Sequence, residues 1–526
     1  MKRGFKRGIT KATPGSRSLV LVGLMGALLA AAPNAQAQTA ARPASPPAAA
    51  LSSPAQPATG PFTLQGAVDY ASAHNLTVRQ NVLNYQNNQQ ILLQSKAALL
   101  PSVNLNGTQT WNFGTNVNPF TFEFQSQTIR SNNFSAQSQV TLFQGFQLRN
   151  TIKRNESDYE ASLLDTDKAR NDLSLNVASA YLQLLLGEEL IRSNQSRVAS
   201  SQAQVDRAKI LLKAGSVAES NVLDSQSQLA SDELNVITAT NQRDIARLNL
   251  VQLLNLDLAS ATSFQIDVPP LADPDDEAPL ALDLDKTYQT AASTLPEIKA
   301  ADLRVQSARR GIDLARGGYF PRLALGGTIS TGFSSSASTR QITGDLIPSS
   351  VLPVFQIDPL NPTGTPIPTT FAVITPPQPR YEFLPTGYFN QLNNNVGKTI
   401  QFVLAVPVFN GLQVRTNVQR SLINEELSRV RAEQARLTLR QSIEQSYVDA
   451  RAAQLQYSAA KRQVAALTLS QRNAEIRFNN GLLNGTDFNI AKNNLTVAES
   501  NRIQAKYSFI FRRKVLDFYQ GKPLAL

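Results

Sequence analysis

The sequence contains no cysteine and a single histidine, His74, and only 17% of its 526 residues are charged. The absence of cysteine excludes disulfides, thiolate zinc sites and cysteine nucleophiles, and any Ser-His-Asp triad would have to use His74. A phosphate-binding Gly-rich loop ending in Lys-Ser or Lys-Thr is also missing from the sequence. We therefore expect no enzymatic activity, no cofactor and no metal site.

The formal net charge of +11 comes largely from the N-terminus. The first 17 residues hold six basic side chains and no acidic one, and an uncharged apolar run at 19–32 and the sequence Ala35-Gln36-Ala37 follow. This order predicts a cleavable signal peptide over residues 1–37, since an apolar run of about 14 residues is short for a membrane span of ~20. Its removal leaves 44 basic and 39 acidic side chains, so the basicity indicates export and not nucleic-acid binding.

Proline is unevenly distributed along the rest of the chain. It is frequent in residues 38–61, where the Pro/Ala-rich composition predicts a linker without a core, and absent from 120–268 and 408–522. Within both proline-free blocks, apolar residues recur every three or four positions, as in Leu173, Val177 and Ala180. This heptad pattern predicts coiled-coil helices over residues 149–213 and 415–478, each about 95 Å long at ~1.5 Å per residue.

The two proline-free blocks are copies of each other. The segment that begins at Val140 aligns with the one that begins at Val406, and the same offset of 266 pairs Gly215 with Gly481. Upstream, Pro101 aligns with Pro321 at an offset of 220. The chain is thus a tandem duplication. We expect a first repeat at 62–268, an inter-repeat linker at 269–282 and a second repeat at 283–526 that carries an extended loop at 332–394.

Each repeat contains a pair of segments in which apolar and polar residues alternate. The first repeat has strand patterns from Pro101 and over residues 132–143, and the second has them over 321–333 and 395–409. Alternation in an exported chain is typical of a transmembrane β-barrel, although a soluble sheet packed on helices shows it too. Four strands cannot close a barrel, so two or three copies would have to share one.

Four segments carry a resemblance to a known family. Residues 62–71, 295–301, 308–316 and 406–411 resemble signature segments of the TolC family of outer-membrane efflux proteins. The resemblance implies a mainly α fold with membrane β-structure: a homotrimer in which each protomer gives four strands to a twelve-stranded β-barrel, and long helical hairpins form a periplasmic α-barrel. It also implies a passive exit duct of a tripartite efflux pump or type I secretion system, working with a periplasmic adaptor and an inner-membrane transporter to export small molecules.

Gly215 and Gly481 interrupt the long helices and are predicted to form the tips of helical hairpins. The resemblance implies that the tips form the periplasmic mouth and dock the adaptor. The residues concerned are Gly215 and Ser216 in the first hairpin and Gly481 and Gly485 in the second. We expect Ser216 and Glu219 to form a capping box, and Thr486 or Asp487 to cap the following helix.

The family's mouth is ringed by acidic residues, and of the matching positions only Asp487 keeps a carboxylate. The equivalent position of the first hairpin is Asn221, and Asp224 could add a second acid. Phe478 and Leu483 stand where the family's gate has a tyrosine and an arginine. Asp487 could therefore belong to a gate or act only as a helix cap.

A second functional hypothesis is an exported structural coiled coil or adhesin. Long heptad helices and a signal peptide are compatible with both hypotheses. The apolar parity of the strands discriminates between them, because an adhesin has no need for an apolar outer surface.

Overall fold

The computed structural model describes residues 61–117, 124–126, 128–268, 273–274, 283–347, 349, 351–356, 367–374 and 376–522. The predicted signal peptide at 1–37 lies outside the described residues. So do residues 38–60 of the predicted linker and all of 269–282 except 273–274. No helix in the described ranges is both long enough and apolar enough to cross a membrane.

Ten α-helices are found in the described residues. They are α1 (Leu64–His74), α2 (Leu76–Ala97), α3 (Gln147–Lys213), α4 (Glu219–Leu254), α5 (Leu258–Ser263), α6 (Leu284–Thr294), α7 (Pro296–Arg316), α8 (Tyr388–Asn394), α9 (Gln413–Asn479) and α10 (Gly485–Tyr519). Helices α3 and α9 each have 67 residues, or about 100 Å at ~1.5 Å per residue. The long coiled-coil helices predicted from the heptads are therefore confirmed.

The strands lie in two groups along the chain, one in each repeat. They are β1 (Ser102–Asn112), β2 (Thr115–Val117), β3 (Phe124–Ser126), β4 (Ile129–Gln144), β5 (Arg322–Ser334), β6 (Ser338–Ile347), β7 (Val351–Gln356), β8 (Ile367–Ile374), β9 (Gln378–Pro385) and β10 (Gly397–Ala405). The segment predicted as an extended loop thus holds β6 to β9, which form two two-stranded ribbons, β6 with β9 and β7 with β8.

The duplication is visible in the bounds of the elements. Helix α3 begins and ends 266 residues before α9, and α4 begins 266 residues before α10. Helices α1 and α2 and strand β1 begin 220 residues before α6, α7 and β5. The two repeats therefore have the same order of elements, and the insertion lies between β5 and β10.

The contacts divide the chain into two compact units, and each repeat contributes to both. One unit contains the strands of residues 99–144 and 321–406, and the other contains the helices of residues 61–98, 145–320 and 407–522.

The strand unit is built on a four-stranded antiparallel sheet in the order β1-β4-β5-β10. In the middle of the sheet, residues that face each other across β1, β4 and β5 have the same character. Leu105, Ala136 and Ile329 lie in one row, and Asn106, Ser135 and Ser330 in the next. One face of the sheet is therefore apolar and the other carries amides and hydroxyls, as the alternation predicted. Both edges, β1 and β10, have no further strand beside them among the residues that the structure describes.

In the helical unit, the main core lies where α1, α3 and α4 meet. The predicted seam residues Leu173, Val177 and Ala180 are buried there together with Leu250 and Leu254. A smaller core lies between α6 and α9, around Leu295 and Ile443. Packing of these apolar stripes, at roughly 25 cal/mol per Å² of buried apolar surface, is what holds helices of this length side by side.

Tyr181 in α3 ties the two ends of the first repeat together. Its hydroxyl donates to the carbonyl oxygens of Asp267 at 2.7 Å and Phe62 at 3.1 Å. Phe62 also forms an isolated parallel bridge with Ile266. Burial, followed by the charge of Asp267, raises the pKa of Tyr181 to about 12.

Candidate functional site at the hairpin tips

Both helical hairpins turn at a glycine in the left-handed region. Gly215 and Gly481 each have φ +71°, a conformation that side-chain-bearing residues adopt at a cost. The N–H of Gly215 donates to Leu212 O at 2.9 Å, and the N–H of Ser216 donates to Leu211 O at 2.9 Å. Phe478 and Arg477 accept in the same way after α9, at 3.0 and 2.8 Å. Both helices therefore end in a Schellman motif, and the predicted hairpin turns lie where the glycines indicated.

The caps that begin the return helices differ from the predicted ones. Helix α4 begins at Glu219 after Ala218, and no side chain caps it, so Ser216 and Glu219 do not form a capping box. Helix α10 is capped by Asn484, whose Oδ1 accepts the N–H of Asp487 at 2.7 Å. The assignment of the cap to Thr486 or Asp487 was wrong, because only two residues separate Gly481 from Asn484 and the helix starts earlier than expected.

Asp487 is the third residue of α10, and its side chain is exposed. Its carboxylate lies in the first turn, where the unpaired N–H groups of the helix favour a negative charge. Since Asn484 already occupies the capping position, the Asp487 side chain does not serve as the cap. It is available to solvent at the tip of the second hairpin.

The structure brings several of the predicted site residues into one small cavity between the two tips. Asn221, Asp224, Phe478 and Gly485 line a cavity of about 70 Å³ together with Phe488. Asn221 Oδ1 lies 3.7 Å from the position that a Cβ would take at Gly485, so the hairpins touch at this point. Leu483, Asp487, Gly215, Ser216 and Gly481 are not among the residues that line the cavity.

Phe488 is a residue of the tips that the sequence reasoning missed. It is buried, and its ring stacks on Phe478 with centroids 4.8 Å apart and planes inclined by 11°. The equivalent positions of the first hairpin are Leu212 and Val222, so the aromatic pair exists only in the second hairpin. A comparison of the repeats position by position would have identified it.

Further from the tips, a buried polar cluster joins the hairpins. Lys492 Nζ of α10 donates to Ser201 Oγ of α3 at 2.6 Å and lies 3.7 Å from Asp232 Oδ2 of α4. Ser201 donates to Asp232, and Gln228 Nε2 donates to Asp232 Oδ1 at 3.1 Å. Gln228 also exchanges hydrogen bonds with Asn493 of α10, at 2.9 and 3.1 Å.

This cluster is almost fully withdrawn from water. The side chains of Lys492 and Asp232 are 9% and 1% exposed. Burial lowers the pKa of the Lys492 ammonium, and the charge and hydrogen bond of Asp232 oppose that effect. Because a buried cation without a partner is costly, the cluster fixes how α10 lies against the first hairpin.

Comparison with known proteins agrees with this architecture. The outer membrane efflux protein family matches residues 67–256 and 287–521, most of the chain. The chain belongs to this family. Its members are channels of the outer membrane and not enzymes, so the chain is an outer-membrane protein whose function is efflux, and the family indicated by the sequence motifs is confirmed.

Solved structures show the same fold. The outer membrane channel CmeC of Campylobacter jejuni has a TM-score of 0.68 at 16% identity, over 88% of this chain and 87% of that one. VceC of Vibrio cholerae has a TM-score of 0.66 at 13% identity, over 88% and 97%. The open-state MtrE channel of Neisseria gonorrhoeae has a TM-score of 0.63 at 18% identity, over 88% and 89%. The predicted fold class, long duplicated helical hairpins with a four-stranded sheet from each chain, is confirmed.

One sequence relative has a name that includes its cargo. The pyoverdine export outer membrane protein OpmQ of Pseudomonas putida is 25% identical over 207 residues. These residues are 39% of this chain, and the match spans 41% of the relative's length.

Proposed function

We propose that the protein is the passive outer-membrane exit duct of a tripartite efflux pump, and that three copies form the duct. The sheet with one largely apolar and one polar face, open at both edges in the described residues, carries this proposal. In lipid, unpaired backbone groups at a sheet edge must find partners, so β10 of one copy must pair with β1 of another. Three copies give twelve strands, enough to enclose a wide polar lumen.

The helical unit supports the same assembly. Apolar residues at heptad spacing stay exposed along α9, among them Ile423, Leu427, Val430 and Leu437. Leu234, Ile237 and Leu248 stay exposed along α4. Heptad stripes of this kind are the surfaces that coiled-coil helices bury against a partner. We infer that α9 of one copy packs against α4 of the next.

The mass of the detergent-extracted protein tests the trimer directly. Native mass spectrometry of protein extracted from outer membranes should give three chains per particle. A monomer, or a water-soluble rod recovered without detergent, would contradict the proposal and favour the adhesin.

For partners, we propose a periplasmic adaptor that docks at the tips around Gly215, Ser216, Gly481 and Gly485, and an inner-membrane transporter behind it. The two Schellman turns present short, rigid ends, which suit contact with another helical hairpin. Affinity purification of the full chain after cross-linking in cells should recover both partners. A variant in which Leu482 and Leu483 at the second tip are changed to Asp should lose the adaptor yet keep its trimer mass.

For the gate, we propose that three symmetry-related Asp487 carboxylates narrow the mouth, with Asp224 adding acidity beside the Phe478–Phe488 stack. Like charges brought together at a constriction repel each other and attract cations. Asn221 and Leu483 contribute neutral side chains at the positions where the resemblance places gate residues.

For the cargo, we propose small organic molecules, with pyoverdine as the first candidate because the relative OpmQ is named for pyoverdine export. The polar face of the sheet has Asn104, Gln137 and Thr328 in one row and a single charged residue, Arg322 at the start of β5, so it suits hydrophilic cargo. Cells that lack the protein should retain such a compound in the periplasm. Normal secretion from those cells would exclude this cargo.

A further inference from the structure

The internal repeat makes it possible to infer how one copy contacts the next. The repeats have the same elements at two fixed offsets: 220 for α1, α2 and β1 against α6, α7 and β5, and 266 for α3 against α9. In the helical unit, neighbours pack in the order α2, α3, α7, α9, so α2 and α9 lie at opposite ends of the row. If copies meet as the repeats do, each contact between α3 of the first repeat and α7 of the second would have a counterpart between α9 and α2 of another copy.

Within one chain, the turn before α3 is seated closely on the turn after α7. Gly145 has φ +53°, and a Cβ there would lie 2.2 Å from Gly317 O. A Cβ at Gly317 would lie 2.4 Å from Gln147 Cγ. Gln147 Nε2 donates to Leu314 O at 3.2 Å. Glycine is thus required on both sides of this joint, because the two backbones touch.

The same turn before α9 has no such neighbour in the described residues. Gly411 has φ +60°, and nothing lies within 4 Å of its Cβ position. Gln413, the counterpart of Gln147, is exposed. The counterparts of Leu314 and Gly317 are Gln94 and Ala97, at the end of α2.

We propose that the Gly411 turn of one copy seats on the end of α2 of the next copy, with Gln413 Nε2 donating to Gln94 O. This inference rests on the proposed trimer and specifies its interface. Ala97 is the counterpart of Gly317. Within one chain a Cβ at position 317 would lie only 2.4 Å from Gln147 Cγ, so alanine does not fit there. The joint between copies is therefore wider than the joint within a copy.

The strand unit gives an independent register for the same interface. Within the chain, Phe134 pairs with Thr331, Ala136 with Ile329 and Ser138 with Gly327. The two offsets convert these pairs into Ile400 with Trp111, Phe402 with Gln109 and Leu404 with Gly107 of the next copy.

This register places the apolar parity of β10 beside the parity of β1 that holds Val103 and Leu105. A slip of one residue would turn every side chain to the other face. The pairing of Ile400 with Trp111 is also of the aromatic and β-branched kind that stabilises neighbouring strands. The inferred register is therefore consistent with a continuous apolar outer surface.

Disulfide trapping tests the interface in the full chain, which has no native cysteine. Directly opposite residues have Cβ atoms about 4.5–5.5 Å apart, within reach of a disulfide after small movements. The test variants are F402C/Q109C for the strands and Q413C/A97C for the helices. The control F402C/L105C displaces the partner by four residues on the same face, and A136C/I329C is the equivalent strand pair within one chain.

Oxidation of outer membranes with copper phenanthroline should join F402C/Q109C and Q413C/A97C into covalent species of up to three chains on non-reducing gels. A136C/I329C should lose its free thiols and stay at the mass of one chain, and F402C/L105C should stay uncrosslinked. Trimers of unchanged mass in which neither test pair crosslinks, while A136C/I329C does, would overturn this interface and leave the proposed function standing. Absence of trimers in the cysteine-free parent would contradict the proposed function itself.

Discussion

At the residue scale, the side chains with a clear physical role are few and lie where the hairpins meet. Asp487 is exposed and is not the helix cap, so its carboxylate is available for the gate role proposed above. Asp232 and Lys492 are buried and hold α10 against the first hairpin. Tyr181 is buried and links Phe62 to Asp267, near the two ends of the first repeat, by hydrogen bonds.

Replacing Asp487 by Asn should reduce the cation selectivity of the channel and change its conductance, because three carboxylates leave the mouth at once. Reversal potentials across a planar bilayer with a salt gradient measure this effect. Asp69→Asn, which removes an exposed carboxylate from α1, is the control and should change neither quantity. Wild-type selectivity in Asp487→Asn would rule out the gate role of Asp487.

Replacing Lys492 by Met leaves Asp232 buried without its cation, and we expect the protein to lose about 3–5 kcal/mol of stability. Thermal unfolding in detergent, followed by the helical circular dichroism signal, measures the loss. The double change Lys492→Met with Asp232→Leu should recover part of it, because the unpaired charge is gone. Equal stability of the wild type and the single variant would show that the pair does not hold α10.

Tyr181 predicts a dependence of stability on pH. Its pKa is raised in the folded chain to about 12, from 10.0, so folding favours the protonated phenol. Its contribution is complete below pH 10 and is lost as the pH rises toward 12. The stability difference between the wild type and Tyr181→Phe should therefore shrink from pH 10 to 12 in thermal unfolding. A difference that stays constant over that range would contradict the raised pKa.

At the scale of elements, the two hairpin turns depend on glycine for the same reason. Replacing Gly481 by Ala forces a Cβ into the left-handed region and should destabilise the second hairpin by about 1 kcal/mol. Gly215→Ala should cost a similar amount, since both residues have φ +71°. Gly311→Ala is the control, because Gly311 lies inside α7 with open space at its Cβ position, and alanine favours a helix. A melting temperature unchanged in Gly481→Ala would contradict this account.

Much of the element structure could be predicted because it is encoded in local patterns. The 3.5-residue repeat predicted the extents of α3 and α9 to within two residues, and the two tip glycines predicted both turns. Alternation predicted β4 over 132–143, and the observed strand is Ile129–Gln144. The strand predicted over 395–409 is shorter, at Gly397–Ala405, because Pro407 cannot donate to a ladder and Gly411 starts the turn.

The remaining features depend on contacts that local patterns do not carry. The caps of α4 and α10 were misassigned because several Ser, Thr, Asn and Asp residues near each turn could serve. The chain geometry selects Asn484 for α10, and it leaves α4 with Ala218 at the N-cap and no capping side chain. The ribbons of β6 to β9 lie in a proline-rich stretch that reads as a loop. The stack of Phe478 on Phe488 joins two different helices across a turn. The pairing of Lys492 with Asp232 joins helices of different repeats.

At the scale of the whole molecule, the main exposed apolar surfaces are the ones that the proposed assembly buries or pairs. Strands β1 and β10, and the seams of α4 and α9, are edges in the isolated chain and become interior in the proposed assembly. In the proposed duct, contacts between the two repeats of one chain alternate with similar contacts between neighbouring chains.

The central claim is that the assembled protein is a water-filled duct, and single-channel recording tests it most directly. The purified, detergent-extracted protein should insert into a planar lipid bilayer and give discrete conductance steps with a preference for cations. Protein that is correctly folded by circular dichroism and trimeric by mass, yet gives no conductance in either orientation and at any voltage the bilayer tolerates, would contradict the account.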